Sequence, residues 1–250
     1  MNIVLEDGVS IKGRTVILPA VSAGNVGQLA VDLLIASCDL VSAGHLRDPA
    51  NMLPCIGNNP YKQGCAECST EMQLYSAPNA GMMILQQRAP PMLGRQEQAA
   101  EALAALLYAE GTEKVIVLGS YSNALPGEDR SSGKAEPMHR MSDRAAFGGM
   151  VAADWQQLPD NDPLTDKAYA DLMLPPWPFW RACTAVGLPI LLLMLPVNEG
   201  DNRGDAMQLA SLTSKVFGAQ AGVDGSLCTF PSSWKVPPSW VVFGEQRAVY

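Results

Sequence analysis

Thr15-Val16-Ile17-Leu18-Pro19-Ala20-Val21-Ser22-Ala23-Gly24-Asn25-Val26-Gly27-Gln28-Leu29-Ala30-Val31-Asp32-Leu33-Leu34 is the stretch on which the fold turns. It starts with a short apolar, largely β-branched run. Pro19 and then Gly24-Asn25-Val26-Gly27 close that run, the composition of a strand and the turn that ends it. Past the turn, Val26, Leu29, Ala30, Leu33 and Leu34 fall at i, i+3, i+4, i+7 and i+8, one helical stripe. Val31 and Ile35 occupy other sides, so the helix is expected to be buried on more than one face. Strand, glycine turn and buried helix open a βαβ unit, with residues 40–46 as its next strand.

The same alternation continues along the chain. Residues 72–76 and 82–86 flank Ala77-Pro78-Asn79-Ala80-Gly81 and read as a hairpin that ends at Pro90-Pro91. Between 96 and 110, Ala99, Ala102, Leu103, Leu106 and Leu107 form a second stripe, with Gly111 placed to stop the helix. Lys114-Val115-Ile116-Val117-Leu118 then reads as a buried strand. From about 121 to 176 the composition turns to loop chemistry, as in Ser131-Ser132-Gly133-Lys134 and Asp160-Asn161-Asp162-Pro163, and the stretch reads as an excursion with some local structure. Phe179, Ala182, Cys183 and Val186 restore helical spacing. Residues 189–195 are the most hydrophobic strand, suited to the centre of a parallel sheet. Asp201 and Asn202 cap a last helix carrying Ala206, Leu209, Ala210, Thr213, Val216 and Phe217. Residues 234–243 read as a final extended segment, and 245–250 as a flexible tail. The expectation is a single-domain α/β fold over 1–250, a three-layer sandwich whose mostly parallel central sheet is flanked by helices.

Composition narrows the function. A net charge of −8 and a pI near 4.7 argue against nucleic acid and against an anionic membrane surface. The first residues carry acids where a secretory leader would be basic, so the expected compartment is reducing and cytoplasmic, with the nucleus as a second location. Cys65-Ala66-Glu67-Cys68 has the spacing of a zinc or redox pair. It lacks a second close pair, with only Cys55 and His45 near it in sequence, and reads as a polar loop with two incidental thiols. No metal and no cofactor are expected.

The remaining polar residues supply no complete catalytic constellation. Gly24-Asn25-Val26-Gly27 could cradle a phosphate on free helix amides. It lacks the third glycine of a dinucleotide fingerprint and the lysine of a P-loop, and close helix packing accounts for it better. His45 and His139 have no nucleophile elbow to serve. Glu199 and Asp201 sit where a helix start favours acids. Trp177, Phe179 and Trp180 behind Pro175-Pro176 are expected to lid a core. No catalytic residue is assigned. The rival readings are a small-molecule enzyme of phosphorylase or hydrolase type on a similar sheet, and a redox or zinc protein using Cys65 and Cys68.

Four blocks carry a resemblance. The stretch 18–34 quoted above resembles the amino-terminal hallmark of the proteasome assembly chaperone 2 family. Gly57-Asn58-Asn59-Pro60-Tyr61, Glu199-Gly200-Asp201-Asn202, and Trp234-Lys235-Val236-Pro237-Pro238-Ser239-Trp240 with Phe243-Gly244 follow in the family's order. The resemblance implies an α/β sandwich without catalysis or cofactor. It also implies a heterodimer with the related assembly chaperone 1 on the α subunits of the proteasome core particle, promoting α-ring assembly and preventing off-pathway association. Family members often end in a hydrophobic residue, tyrosine and any residue, whose carboxylate enters a pocket between α subunits. Here Ala248-Val249-Tyr250 ends the chain with tyrosine last, one place later than that pattern, and these three residues are the expected partner-binding tail.

Overall fold

The β-branched and leucine-rich runs are buried on both faces, which only a sheet covered on both sides allows. The structure, a computed structural model, describes residues 1–77, 81–122, 137–147, 156–158, 176–198, 200–218 and 233–240. Its strands are β1 (Asn2–Leu5), β2 (Thr15–Pro19), β3 (Val41–Arg47), β4 (Ile56–Asn58), β5 (Cys68–Thr70), β6 (Met72–Ser76), β7 (Met82–Gln87), β8 (Lys114–Ser122), β9 (Met138–Met141), β10 (Gln156–Gln157) and β11 (Ile190–Val197). Its helices are α1 (Val26–Ser37), α2 (Gln96–Ala109), α3 (Arg144–Phe147), α4 (Pro176–Val186) and α5 (Arg203–Gly218).

Among the described residues, nine strands form the main sheet in the order β1-β3-β6-β7-β2-β8-β11-β9-β10, while β4 and β5 make a separate two-stranded ribbon. The middle, β7-β2-β8-β11, is parallel, as expected. Antiparallel pairs are added on both sides, by β6, β3 and β1 on one flank and by β9 on the other. The β2–α1–β3 unit is a true crossover. Because β3 is antiparallel to β6, and β6 to β7, β3 runs the same way as β2 with the hairpin inserted between them. The described parts of 121–176 are not all loop, since β9 and β10 extend the sheet there.

Alternation along the central strands separates two cores. Val16, Leu18, Val115, Val117, Leu192 and Met194 face α2 and α4. Ile17, Ile116, Leu118, Leu191, Leu193 and Leu195 face α1 and α5. From β2, α1 leads toward β3 in one direction, and from β7, α2 leads toward β8 in the other. Right-handed crossovers of opposite direction must lie on opposite faces. Trp177 and Phe179 are buried and close the α2 side, as expected of a core lid. One local expectation fails near the end of the chain. Residues 238–240 form a helical turn instead of extended chain, with Trp240 N–H donating to the Pro237 carbonyl at 2.9 Å.

Candidate functional site

The carboxyl ends of β2 and β8 are where the connections diverge, the place at which doubly wound sheets bind ligands. In this protein the crevice is filled by its own side chains. Ser22 Oγ lies 3.0 Å from Ser120 Oγ and accepts the Ser120 backbone N–H at 3.0 Å, while Ser120 Oγ donates to the Ala23 carbonyl at 2.5 Å. Gly24 has φ +61°, and a Cβ there would collide with the side-chain amide of Asn202. Gly27 lets α1 sit directly on β8, because a Cβ would strike the Leu118 carbonyl. The glycine turn therefore serves close packing, and its open space is occupied by Asn202.

Deeper on the same face, α1 presents Asp32, the one polar side chain among the buried residues of the helix. Three groups converge on its Oδ1: Tyr61 Oη at 2.5 Å, Gln86 Nε2 at 2.6 Å and an Arg88 guanidinium nitrogen at 3.1 Å. Arg88 also donates to Tyr61 Oη at 2.9 Å and lies 5.6 Å from the centre of that ring. Tyr75 meets Tyr61 edge to face at 5.3 Å between centroids. Burial, with the Asp32 charge added, pushes the Tyr61 phenol well above its ordinary value, and burial pushes Tyr75 up to about 12. Burial would pull the Arg88 guanidinium down, but Asp32 together with Tyr61 and Tyr75 more than reverses this and holds it above its ordinary value. Both phenols are thereby kept neutral as hydrogen-bond donors, and the guanidinium is kept charged. Three donors converging on one buried carboxylate oxygen pin geometry. Asp32 Oδ1 is thereby committed to three protein donors.

The loop that carries Tyr61 is set by its own side chains. Asn59 Oδ1 accepts the backbone N–H groups of Tyr61 and Lys62 at 2.8 and 3.1 Å, an Asx turn that aims the tyrosine at α1. The last block closes over the same region. Trp234 Nε1 donates to Ser211 Oγ on α5, and Lys235 N–H donates to Ser37 Oγ at the end of α1, each at 2.9 Å. Lys235 Nζ pairs with Asp39 at 2.7 Å, and Ser239 N–H reaches the Pro60 carbonyl at 3.3 Å. Residues drawn from all four blocks thus meet around one helix.

The other candidates do not assemble. Cys65 and Cys68 lie at the β5 end of the small ribbon, and among the described residues no group of three or more metal-ligating side chains forms. His139 is on β9, where burial holds its imidazole below its ordinary pKa, and His45 is on β3 at the opposite flank. Cys183 is buried in the α2-side core, which pushes its thiol far up and leaves it inert. Asp201 accepts the Arg203 N–H at the start of α5, as a capping residue would. Glu199, Phe243, Gly244 and the tail residues Ala248, Val249 and Tyr250 lie outside the described residues. Sequence reading missed Gln86 and Arg88. The available signal was two polar residues at i and i+2, on one face of the strand that precedes α2, where every other side chain on that face is apolar.

The profile of the PAC2 family matches residues 16–158, from β2 through the residue after β10. Proteasome assembly chaperone 2 of Danio rerio is 28% identical over 260 residues, covering 94% of each chain. The protein of the same name from Nematostella vectensis is 31% identical over 217 residues, covering 79% of this chain and 86% of its own. Among solved structures, Pyrococcus furiosus PbaA, described as an archaeal homolog of proteasome-assembly chaperone, superposes with a TM-score of 0.59 at 17% identity, covering 87% of this chain and 85% of its own. The profile spans more than half of the chain, and the chain belongs to the PAC2 family.

Proposed function

We propose that this protein is a non-catalytic chaperone that pairs with a related assembly chaperone and promotes assembly of the proteasome α-ring, preventing off-pathway association. The observation that carries the reading is the alignment with relatives named proteasome assembly chaperone 2 over nearly the whole chain. The geometry of the α1 face agrees with it. The crevice that an α/β enzyme would keep open is closed by Ser22, Ser120 and Asn202, and the buried Asp32 has its donors already in place. The expected partners are an assembly chaperone 1-like protein and proteasome α subunits, met in the cytoplasm and the nucleus. The tail, Ala248-Val249-Tyr250, is the element proposed to reach a pocket between α subunits. There the Tyr250 carboxylate would meet a lysine, a charge-assisted bond of about 1.5–3 kcal/mol.

Mass spectrometry of what co-purifies with the tagged protein tests this reading. Recovery of a related chaperone together with α subunits is expected, and recovery of neither sinks it. Deleting Val249 and Tyr250 should weaken α-ring binding while leaving the chaperone pair intact. An unchanged affinity would shift the interaction onto the folded surfaces and the partner.

A further inference from the structure

We propose that the open edge of β1 pairs antiparallel with β1 of a second copy of this chain, continuing the sheet from one molecule into the next. Among the described residues β1 borders only β3, so it ends the main sheet on that flank. Its register with β3 runs from Asn2 opposite Arg47 to Leu5 opposite Gly44, and the Glu6 N–H donates to the Ala43 carbonyl at 3.0 Å. Asn2, Val4 and Glu6 therefore turn their N–H and C=O groups toward β3, and by alternation Ile3 and Leu5 turn theirs outward. Unpaired groups along an edge are a template for another strand. At the opposite edge β10 comprises Gln156–Gln157, both polar and exposed, which give an incoming strand little to bury. β1 is apolar at its centre and carries no lysine, proline or bulge that would blunt it.

The sequence of the edge selects its own copy as the occupant. Asn2-Ile3-Val4-Leu5-Glu6 reads polar, apolar, apolar, apolar, polar in both directions. In the antiparallel register that sets Val4 against Val4 of the second copy, Ile3 faces Leu5 of that copy and Leu5 faces its Ile3. Both are hydrogen-bonded pairs made from the outward groups, and the two valines between them form the non-hydrogen-bonded pair, where side chains approach most closely. Val4 is 52% exposed, and Ile3 and Leu5 lie half-buried at the rim of the α2-side core, so each pair has apolar surface left to cover. Glu6 falls opposite Asn2 and not opposite itself, which keeps the carboxylates apart in a chain of net charge −8. The neighbouring registers that keep the outward groups paired would set Val4 against Glu6 or against Asn2, and so lose the apolar match. An edge residue that meets itself is what a twofold axis requires. The pairing follows from the edge alone and does not rest on the proposed function.

With about four ladder hydrogen bonds the pair should be reversible and concentration-dependent. Sedimentation velocity of the intact protein over a wide concentration series should show a monomer–dimer equilibrium. Hydrogen exchange locates the seam. The Ile3 and Leu5 amides should exchange about tenfold more slowly once roughly nine-tenths of the chains are paired. The Val4 and Glu6 amides, already turned toward β3, should be protected at every concentration. Val4→Lys and Val4→Glu, changes on an exposed side chain, should each give a monomer by setting like charges face to face. An equimolar mixture of the two variants should pair again. Should either variant fail to fold, the exchange of the unaltered protein still decides the question. A monomer at all concentrations, Ile3 and Leu5 amides unchanged on dimerisation, a dimer that survives both variants, or a mixture that stays monomeric overturns the proposal.

Discussion

The two faces of the central sheet are built on different principles. Against α2 and α4 the contacts are leucine, alanine, methionine and aromatic side chains, and a cavity remains among them. Against α1 and α5 an apolar layer of similar extent surrounds a buried carboxylate, a guanidinium, two phenols and an amide. An apolar core accepts any arrangement of about the right volume, whereas a buried ionic network is satisfied in only one. The α2 face can therefore yield, while the α1 face holds the loop at Tyr61 and the carboxyl-terminal block in a single arrangement.

The largest expected effect follows from that contrast. Asp32→Ala removes the common acceptor and leaves Arg88 buried without a counter-charge, a loss of about 3–5 kcal/mol. Urea denaturation should show it as a lowered midpoint. The double variant Asp32→Leu with Arg88→Met should recover most of the stability, because the uncompensated charge goes with it. If that double variant is as unstable as Asp32→Ala alone, packing and not charge accounts for the loss. A smaller effect separates two glycines. Gly27→Ala forces α1 away from the Leu118 carbonyl and should cost about 1–3 kcal/mol. Gly204→Ala, in α5 with open space around it, should stabilise by about 0.5–1 kcal/mol. Thermal unfolding of the two variants compares them directly, and equal behaviour would dissolve the distinction between packed and unpacked helix starts.

The smallest effect is expected with pH. Tyr61 and Tyr75 have folded-state pKa values raised above the unfolded value, so their contribution is fully present below about pH 10. As pH rises further the unfolded chain loses these protons first. Stability should therefore fall above pH 10, toward the value of about 12 at which Tyr75 ionises in the folded protein. Tyrosinate absorbance followed alongside unfolding should show Tyr61 and Tyr75 ionising late. Simultaneous ionisation of all six would place Tyr61 and Tyr75 in solvent.

Much of this architecture was open to sequence reading. The period-3.6 stripe from Val26 to Leu34, the hairpin around residues 77–81 and the strand after Gly111 appear where expected. Each is encoded by residues close in the chain, whose spacing maps directly onto a face. The αL turn at Gly111, φ +76°, is likewise a local demand met by a local residue. The carboxyl-terminal block is a different case. It read as extended chain broken at Pro237-Pro238, but residues 238–240 turn helically where Trp240 enters the core beside α1. Burial of that ring outweighed local preference.

The alternation of apolar and turn residues along the chain determined by itself that this is an α/β protein with a parallel centre, and the four ordered blocks determined its family resemblance. Tertiary structure alone decided what the blocks do. Asp32 and Arg88 are 56 residues apart and Ser22 and Ser120 are 98 apart, and nothing local to any of them states the pairing. The sheet order, with the hairpin inserted between β2 and β3, likewise depends on contacts across the whole chain. Periodicity reports which side of an element is buried, because that is a property of consecutive residues. The identity of the buried neighbour is a property of two distant segments, and it exists only once the chain has closed around both.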